Sequence, residues 1–217
     1  MRTWFADFWR AGLRLWRDNE PLLTALDMPL PAAKSRAWGY CLWAVLCWSA
    51  ACAWTWVERT RAWPSGAGWY IVCVAAAWPA GYGWFRLYTL VAHVMTTNIF
   101  QVRGQRLRML NVLTSVMALQ PYLALAAFCI AVPAPWSFCL GTALAVATAG
   151  RSLWLVTDGY GRVFHCGRGR ALVLFLGGTV LTAFVFAVGL LAMAVAAGVV
   201  AWLALAFLRG AQPRGQA

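Results

Sequence analysis

Residues 37–57 read AWGYCLWAVLCWSAACAWTWV, a run of 21 residues without a charged side chain. A helix rises about 1.5 Å per residue, so this run matches a hydrocarbon layer about 30 Å thick. Lys34 and Arg36 precede the run, and Glu58 and Arg59 follow it. An apolar run of this length with charges at both ends predicts a membrane-spanning helix.

The composition of the whole chain agrees with this span. Of its 217 residues, 63% are hydrophobic and 11% are charged. In soluble domains roughly 45–50% of the residues are apolar and about 25% are charged. So few charged residues cannot cover the surface of a soluble fold of this size. We therefore predict an all-α protein, a polytopic transmembrane helical bundle.

Four further apolar segments extend this bundle, at residues 69–91, 109–132, 136–156 and 171–208. The last has 38 uncharged residues, about 57 Å of helix, which is nearly twice the hydrocarbon thickness. It either folds back near Val188 and Gly189 as two spans or forms one long tilted helix. The sequence thus predicts five to six spans. We place the transmembrane domain at residues 37–208, between a cytoplasmic segment, 1–36, and a polar tail, 209–217.

The basic residues indicate the orientation. The chain has 18 basic and 6 acidic residues, and most bases fall before the first span or in residues 86–108 and 151–170. By the positive-inside rule, the N-terminus and both of these basic connections are cytoplasmic. Five spans place the tail outside, with 14 bases inside and 4 outside. Six spans place the tail inside, with 16 bases inside and 2 outside.

The net charge of +12 favours a phosphate-rich partner. The bases lie at the ends of apolar runs and do not alternate with stacking aromatics, which favours anionic lipid headgroups over nucleic acid. All bases but Lys34 are arginine, and alanine and glycine are abundant. This bias indicates a GC-rich bacterial genome, so the predicted location is a bacterial inner membrane.

The first 20 residues predict an amphipathic helix. Large apolar residues recur there at three- and four-residue spacing with arginines between them, as in a helix that lies in the headgroup plane. The alternative is a helix packed against the chain's own cytosolic loops. The candidate interfacial residues are Trp4, Phe8, Trp9 and Trp16.

Two similar basic strings precede apolar segments, residues 103–108 and residues 167–170. Guanidinium groups and free backbone N–H groups at a helix start can hold a phosphate. The strings are therefore candidate contacts for lipid headgroups or partners, although topology signals alone would also account for them. The candidate residues are the arginines of the two strings, together with one arginine of the second basic connection: Arg103, Arg106, Arg108, Arg168 and Arg170, and Arg162.

Gln120 and Pro121 lie at the middle of the third predicted span. A proline frees a backbone carbonyl and the glutamine adds an amide, so the pair is either a polar mid-membrane site or a packing kink. Secondary transporters usually have a membrane-embedded carboxylate. This chain has none within the predicted spans, which argues against transport by this chain alone.

The sequence offers little for catalysis. Beyond residue 30 the only acids are Glu58 and Asp158, on opposite sides of the predicted membrane. The string DGYGR at 158–162 has the opening of a phosphatidyl-transferase motif but lacks its further aspartates, so a polar turn is the better interpretation. His93 and His165 suggest a haem or metal site. Such a site would need more ligands than these two histidines and Cys166. We expect no enzymatic activity, metal or cofactor.

The arrangement resembles the Yip family of small polytopic membrane proteins over roughly residues 86–190. The likeness lies in a cytosolic N-terminal segment, about five spans and a basic stretch, 103–108, that leads to a central Pro121. A second basic turn, 161–170, leads to the terminal apolar region. The resemblance implies a role in organising membranes and partner proteins without catalysis. We accordingly expect a scaffold or accessory subunit that contacts anionic lipids and other membrane proteins; the alternative is a transport or channel component.

Overall fold

The computed structural model describes residues 2–60 and 67–210, and side chains for residues 6–60, 70–189 and 191–202. Every regular element in this part of the chain is a helix, as predicted. The helices are α1 (Arg2–Arg17), α2 (Glu20–Leu26), α3 (Leu30–Thr60), α4 (Ala67–Ile99), α5 (Arg106–Met117), α6 (Gln120–Ala131), α7 (Pro135–Val163) and α8 (Arg168–Gly210). Residues 211–217 of the predicted polar tail lie outside the described part.

Four segments of the described chain are long and apolar enough to cross a membrane. They are α3, α5 together with α6, α7, and α8 as far as Trp202. The predicted second span, 69–91, lies in α4, which is not one of the four. Its hydropathy is lowered by Pro79, Arg86 and several Gly, Trp and Tyr residues. By length and composition, the described helices thus supply four candidate spans where the sequence predicts five to six.

The terminal apolar tract is one helix. α8 continues through Val188 and Gly189 without a break, so of the two predicted alternatives the fold-back is wrong and the single long helix is observed. At about 1.5 Å per residue, the 43 residues of α8 are roughly 64 Å long. Gly189 does not end the helix, because a glycine destabilises a helix by only about 1 kcal/mol. The next proline, at residue 213, comes after the end of α8.

The third predicted span is two helices. α5 ends at Met117 and α6 begins at Gln120, so Ala118 and Leu119 form the break. Pro121 lies in the first turn of α6, where its missing N–H costs no helical hydrogen bond. Each helix has 12 residues, about 18 Å, so only the two together are long enough to cross a membrane.

The helices form a ring around α5. α3, α6, α7, α8 and α4 contact one another in that cyclic order, and α5 contacts α3, α4 and α7. Residues Met109–Ser115 of α5 are all buried, which places this helix inside the bundle. α1 and α2 complete one end of the molecule through contacts with α3, α5 and α7.

The buried core lies at the end of the bundle that carries α1, α2 and the connections 100–105 and 164–167, which we call the basic end. Its largest fully buried side chains include Phe8, Leu15, Met109, Leu155 and Tyr160. The other half exposes large apolar side chains, among them Trp136, Phe138, Val146, Phe184, Leu191 and Val200. Apolar surface of this extent on a helical protein indicates contact with hydrocarbon.

Candidate functional site

The two basic connections meet at the basic end. A Cβ atom at Gly104 would overlap the ring of Phe164, so the backbone before α5 lies directly on the segment that joins α7 to α8. The ring of Phe164 also packs against Tyr160, with centroids 5.5 Å apart. Two strings about 60 residues apart in sequence therefore form one surface. We define the basic face as Arg103, Arg106, Arg162, Arg168 and Arg170.

The arginines of this face differ in their partners. Arg162 and Arg168 both contact the carboxylate of Asp158 at 3.5 Å. Arg103, Arg106 and Arg170 are exposed and form no ion pair with any described residue. These three exposed positive charges thus have no described counter-ion and can attract an external anion.

Asp158 does not lie in the predicted turn, because α7 continues to Val163. Its carboxylate is 10% exposed and also accepts a hydrogen bond of 3.1 Å from the amide of Asn19. Arg168 in turn lies 4.5 Å above the ring of Trp154. A buried carboxylate needs such partners, and Asp158 therefore joins the α1–α2 junction to α7 and α8.

The sixth predicted arginine, Arg108, is not part of the face. It lies in the first turn of α5 and pairs with Asp27 at 2.7 Å. Nearby, the amide of Asn111 donates to the carbonyls of Leu26 and Met28, both at 3.2 Å. These contacts hold the turn between α2 and α3 against α5, a structural role that no sequence signal indicates.

The predicted interfacial residues of α1 have different environments. Phe8 is fully buried and packs edge-on against Tyr40, whereas Trp9 and Trp16 are partly buried. Trp16 packs edge-on against Tyr122. The side chain of Trp4 lies outside the described part of the chain. This face of α1 contacts protein, and its other face exposes Leu13 together with arginines.

Arg151 holds the C-terminal end of α1. Its guanidinium donates to the carbonyl of Leu15 at 2.6 Å, to the carbonyl of Asp18 at 3.1 Å and to the side chain of Asn19 at 2.9 Å. The last carbonyls of a helix lack intrahelical partners and carry partial negative charge. In the sequence, Arg151 is the charged residue near the end of the fourth predicted span, 136–156, and it predicts only where that span ends. Its position within an apolar run is the one available signal of this role.

Gln120 and Pro121 lie at the break between α5 and α6. The side-chain oxygen of Gln120 accepts a hydrogen bond of 3.0 Å from the indole N–H of Trp48 on α3. Gln120 also borders an open recess of about 430 Å³ between α4, α5, α7 and α8, which is otherwise lined mainly by apolar residues and Tyr88 and Ser152. The predicted mid-span pair thus contributes both to packing and to the lining of this recess.

The histidines and Cys166 occupy separate environments. Nδ1 of His93 is buried and forms no hydrogen bond with a described group. Burial lowers the pKa of His93, and the charge of Arg106 lowers it further. His165 is exposed, and burial raises the pKa of the Cys166 thiol despite nearby Arg170. Within the described residues, no three His, Cys, Asp or Glu side chains are placed to hold a metal ion.

No family model, curated protein or solved structure matches this chain.

Proposed function

We propose that this chain is a multi-pass protein of the bacterial inner membrane that acts as a non-catalytic scaffold or accessory subunit of a membrane assembly. The observation that carries the proposal is the basic face, where Arg103, Arg106 and Arg170 are exposed and unpaired among the described residues. A cluster of exposed guanidiniums suits an anionic headgroup or an acidic segment of a partner. The resemblance to the Yip family supports the same role.

The buried core beneath the basic face favours the proposed scaffold function. Tyr160, Val163 and Phe164 are at most 5% exposed, so the backbone that carries the arginines is packed against protein. A prearranged surface loses less conformational entropy on binding than a flexible one. The N-terminus and the basic end lie in the cytoplasm in this proposal, because the positive-inside rule favours that side.

A transport or channel component is the second candidate. It is favoured by the open recess of about 430 Å³ between α4, α5, α7 and α8, which Gln120 and Ser152 border. In that case the polar path is completed by other subunits, since no described acid of this chain lines the recess. The two candidates differ in the role of Gln120.

The test replaces Arg103, Arg106 and Arg170 together by glutamine and measures recovery of co-purifying membrane proteins in mild detergent. We expect recovery to fall at least tenfold, because each charge near an anionic surface or partner contributes about 1 kcal/mol. Arg59→Gln is the control, because Arg59 lies in the last turn of α3, at the end of the bundle opposite the basic face. This variant should retain the partners. Equal recovery for the triple variant and the wild type would contradict the scaffold.

Gln120→Leu separates the two candidates in the same experiment. A scaffold should keep its partners, because an interhelical hydrogen bond in a membrane contributes on average about 0.6 kcal/mol. Full recovery of the complex together with loss of its cellular activity would instead support a transport component.

A further inference from the structure

A second charged feature lies between α1, α2 and the start of α3. It is an open groove of about 700 Å³, within the range of about 300–1,000 Å³ that is typical of ligand sites. Its charged lining consists of Asp7, Arg10, Arg14, Glu20 and Arg36. None of these residues belongs to the basic face, so this site does not depend on the function proposed above.

The arginines of the groove come from two helices. Arg10 and Arg14 are four residues apart and therefore lie one above the other on α1. Both are exposed and form no ion pair with a described residue. Arg36 enters from α3, where one guanidinium nitrogen donates to Ser115 Oγ at 3.1 Å. The ring of Tyr40 lies 4.8 Å below it.

These two contacts fix the position of Arg36. A guanidinium has five N–H donors, and the contact with Ser115 uses one of them. No described group accepts a hydrogen bond from the remaining donors, so they can serve a ligand in the groove. A phosphate group between two arginines typically accepts several charge-assisted hydrogen bonds.

The groove also contains two carboxylates. Asp7 lies one turn before Arg10, and Glu20 begins α2 just beyond the end of α1. Neither pairs with Arg10, Arg14 or Arg36 in the described structure. A ligand with only negative charge would be repelled by these two carboxylates while the three arginines of the lining attract it. A ligand with both charges would satisfy both sets of residues.

The position of the groove favours a lipid. Lys34 and Arg36 mark the membrane edge of the first predicted span, and Arg36 itself lines the groove. Apolar residues, including Ala25, Met28 and Ala32, line other parts of it. A headgroup at this level can therefore enter the groove while its acyl chains stay in the hydrocarbon layer.

We propose that this groove binds a phosphate ester that carries an ammonium group, as in the phosphoethanolamine headgroup of a phospholipid. The phosphate lies among Arg10, Arg14 and Arg36. The ammonium group lies beside Asp7 or Glu20. The groove thereby distinguishes a zwitterionic headgroup from a purely anionic one.

The test is native mass spectrometry of the purified full-length protein in detergent with phosphatidylethanolamine or phosphatidylglycerol added. We expect the wild type to retain more phosphatidylethanolamine. The double variant Arg10→Gln, Arg14→Gln should retain about tenfold less of this lipid. Arg17→Gln, on the same helix but outside the groove, is the matched control. Unchanged retention by the double variant, or a wild-type preference for phosphatidylglycerol, would overturn the proposal.

The carboxylates provide a second, opposite test. The double variant Asp7→Asn, Glu20→Gln should lose phosphatidylethanolamine and gain phosphatidylglycerol, since only the ammonium group needs the acids. A gain in both lipids would mean that the groove responds to net charge alone, which would also contradict the proposal.

Soluble phosphoethanolamine identifies the source of the ligand. If it displaces the lipid at millimolar concentration, the groove recognises the ester without acyl chains. If it does not, the site requires a membrane lipid. Both results support the phosphate and ammonium chemistry, provided that the four substitutions have the effects described above and leave the thermal midpoint unchanged.

Discussion

Gly141→Leu is expected to give little folded protein. A Cβ atom at Gly141 would lie 2.8 Å from the carbonyl oxygen of Ala126 and 3.0 Å from the backbone nitrogen of Ile130. Backbone atoms of α6 cannot move aside as a side chain can, so α6 and α7 must separate. Overpacking of this kind costs about 1–3 kcal/mol or more, and the expected fall in thermal midpoint is roughly 10 °C.

The measurement is the yield and thermal midpoint of the monodisperse protein in detergent. Gly150→Leu is the matched control, because Gly150 also lies in α7 and a Cβ atom added there would have no described atom of another segment within 4 Å. We expect the control to match the wild type. Equal loss in both variants would show that leucine in α7 is harmful for a reason other than the contact with α6.

Arg151→Leu is expected to release α1 from the bundle. The substitution removes three hydrogen bonds from one charged group, at 2.6, 3.1 and 2.9 Å. Hydrogen bonds to charged groups contribute about 1.5–3 kcal/mol each. The bonds to Leu15 and Asn19 are part-buried and the bond to Asp18 is exposed, so we count only the first two and expect a loss of about 3 kcal/mol, roughly a hundredfold increase in local opening.

Hydrogen exchange of the intact protein tests this expectation. Amides of α1 should exchange faster in Arg151→Leu, while those of α5 stay protected. Arg59→Leu is the control, since Arg59 lies in the last turn of α3, at the opposite end of the bundle from α1. Protection of α1 at the wild-type level in Arg151→Leu would exclude the capping role.

The helical architecture can be predicted from the sequence because uninterrupted apolar runs of about 20 residues or more are typical of membrane helices. The run 37–57 lies within α3 and the run 171–208 within α8. A kink near Gln120 and Pro121 is also predictable, because proline restricts the preceding backbone. By contrast, the low charge of 69–91 predicts a span, whereas the Trp, Tyr and Gly residues of α4 lower its hydropathy.

Contacts between distant segments cannot be predicted in this way. Periodicity shows which face of α1 is apolar, but it does not show whether Phe8 on that face contacts lipid or protein. Nothing in residues 103–108 indicates that Gly104 meets Phe164. The capping of α1 by Arg151 likewise joins residues more than 130 positions apart. Such contacts depend on how the whole bundle packs, and a local sequence pattern carries no information about that packing.

The proposed function depends on a cytoplasmic location of the basic end. This location is measured with topology reporters fused after Arg61, Arg106, Pro135 and Arg168. We predict a cytoplasmic signal after Arg106 and Arg168 and an external signal after Arg61 and Pro135, because both basic connections carry arginines that the positive-inside rule retains in the cytoplasm. This result requires α4, which contacts α3 and α8 in the helix ring, to cross the membrane although it is not one of the four candidate spans. An external signal after either Arg106 or Arg168 would contradict a cytoplasmic basic face and, with it, the proposed function.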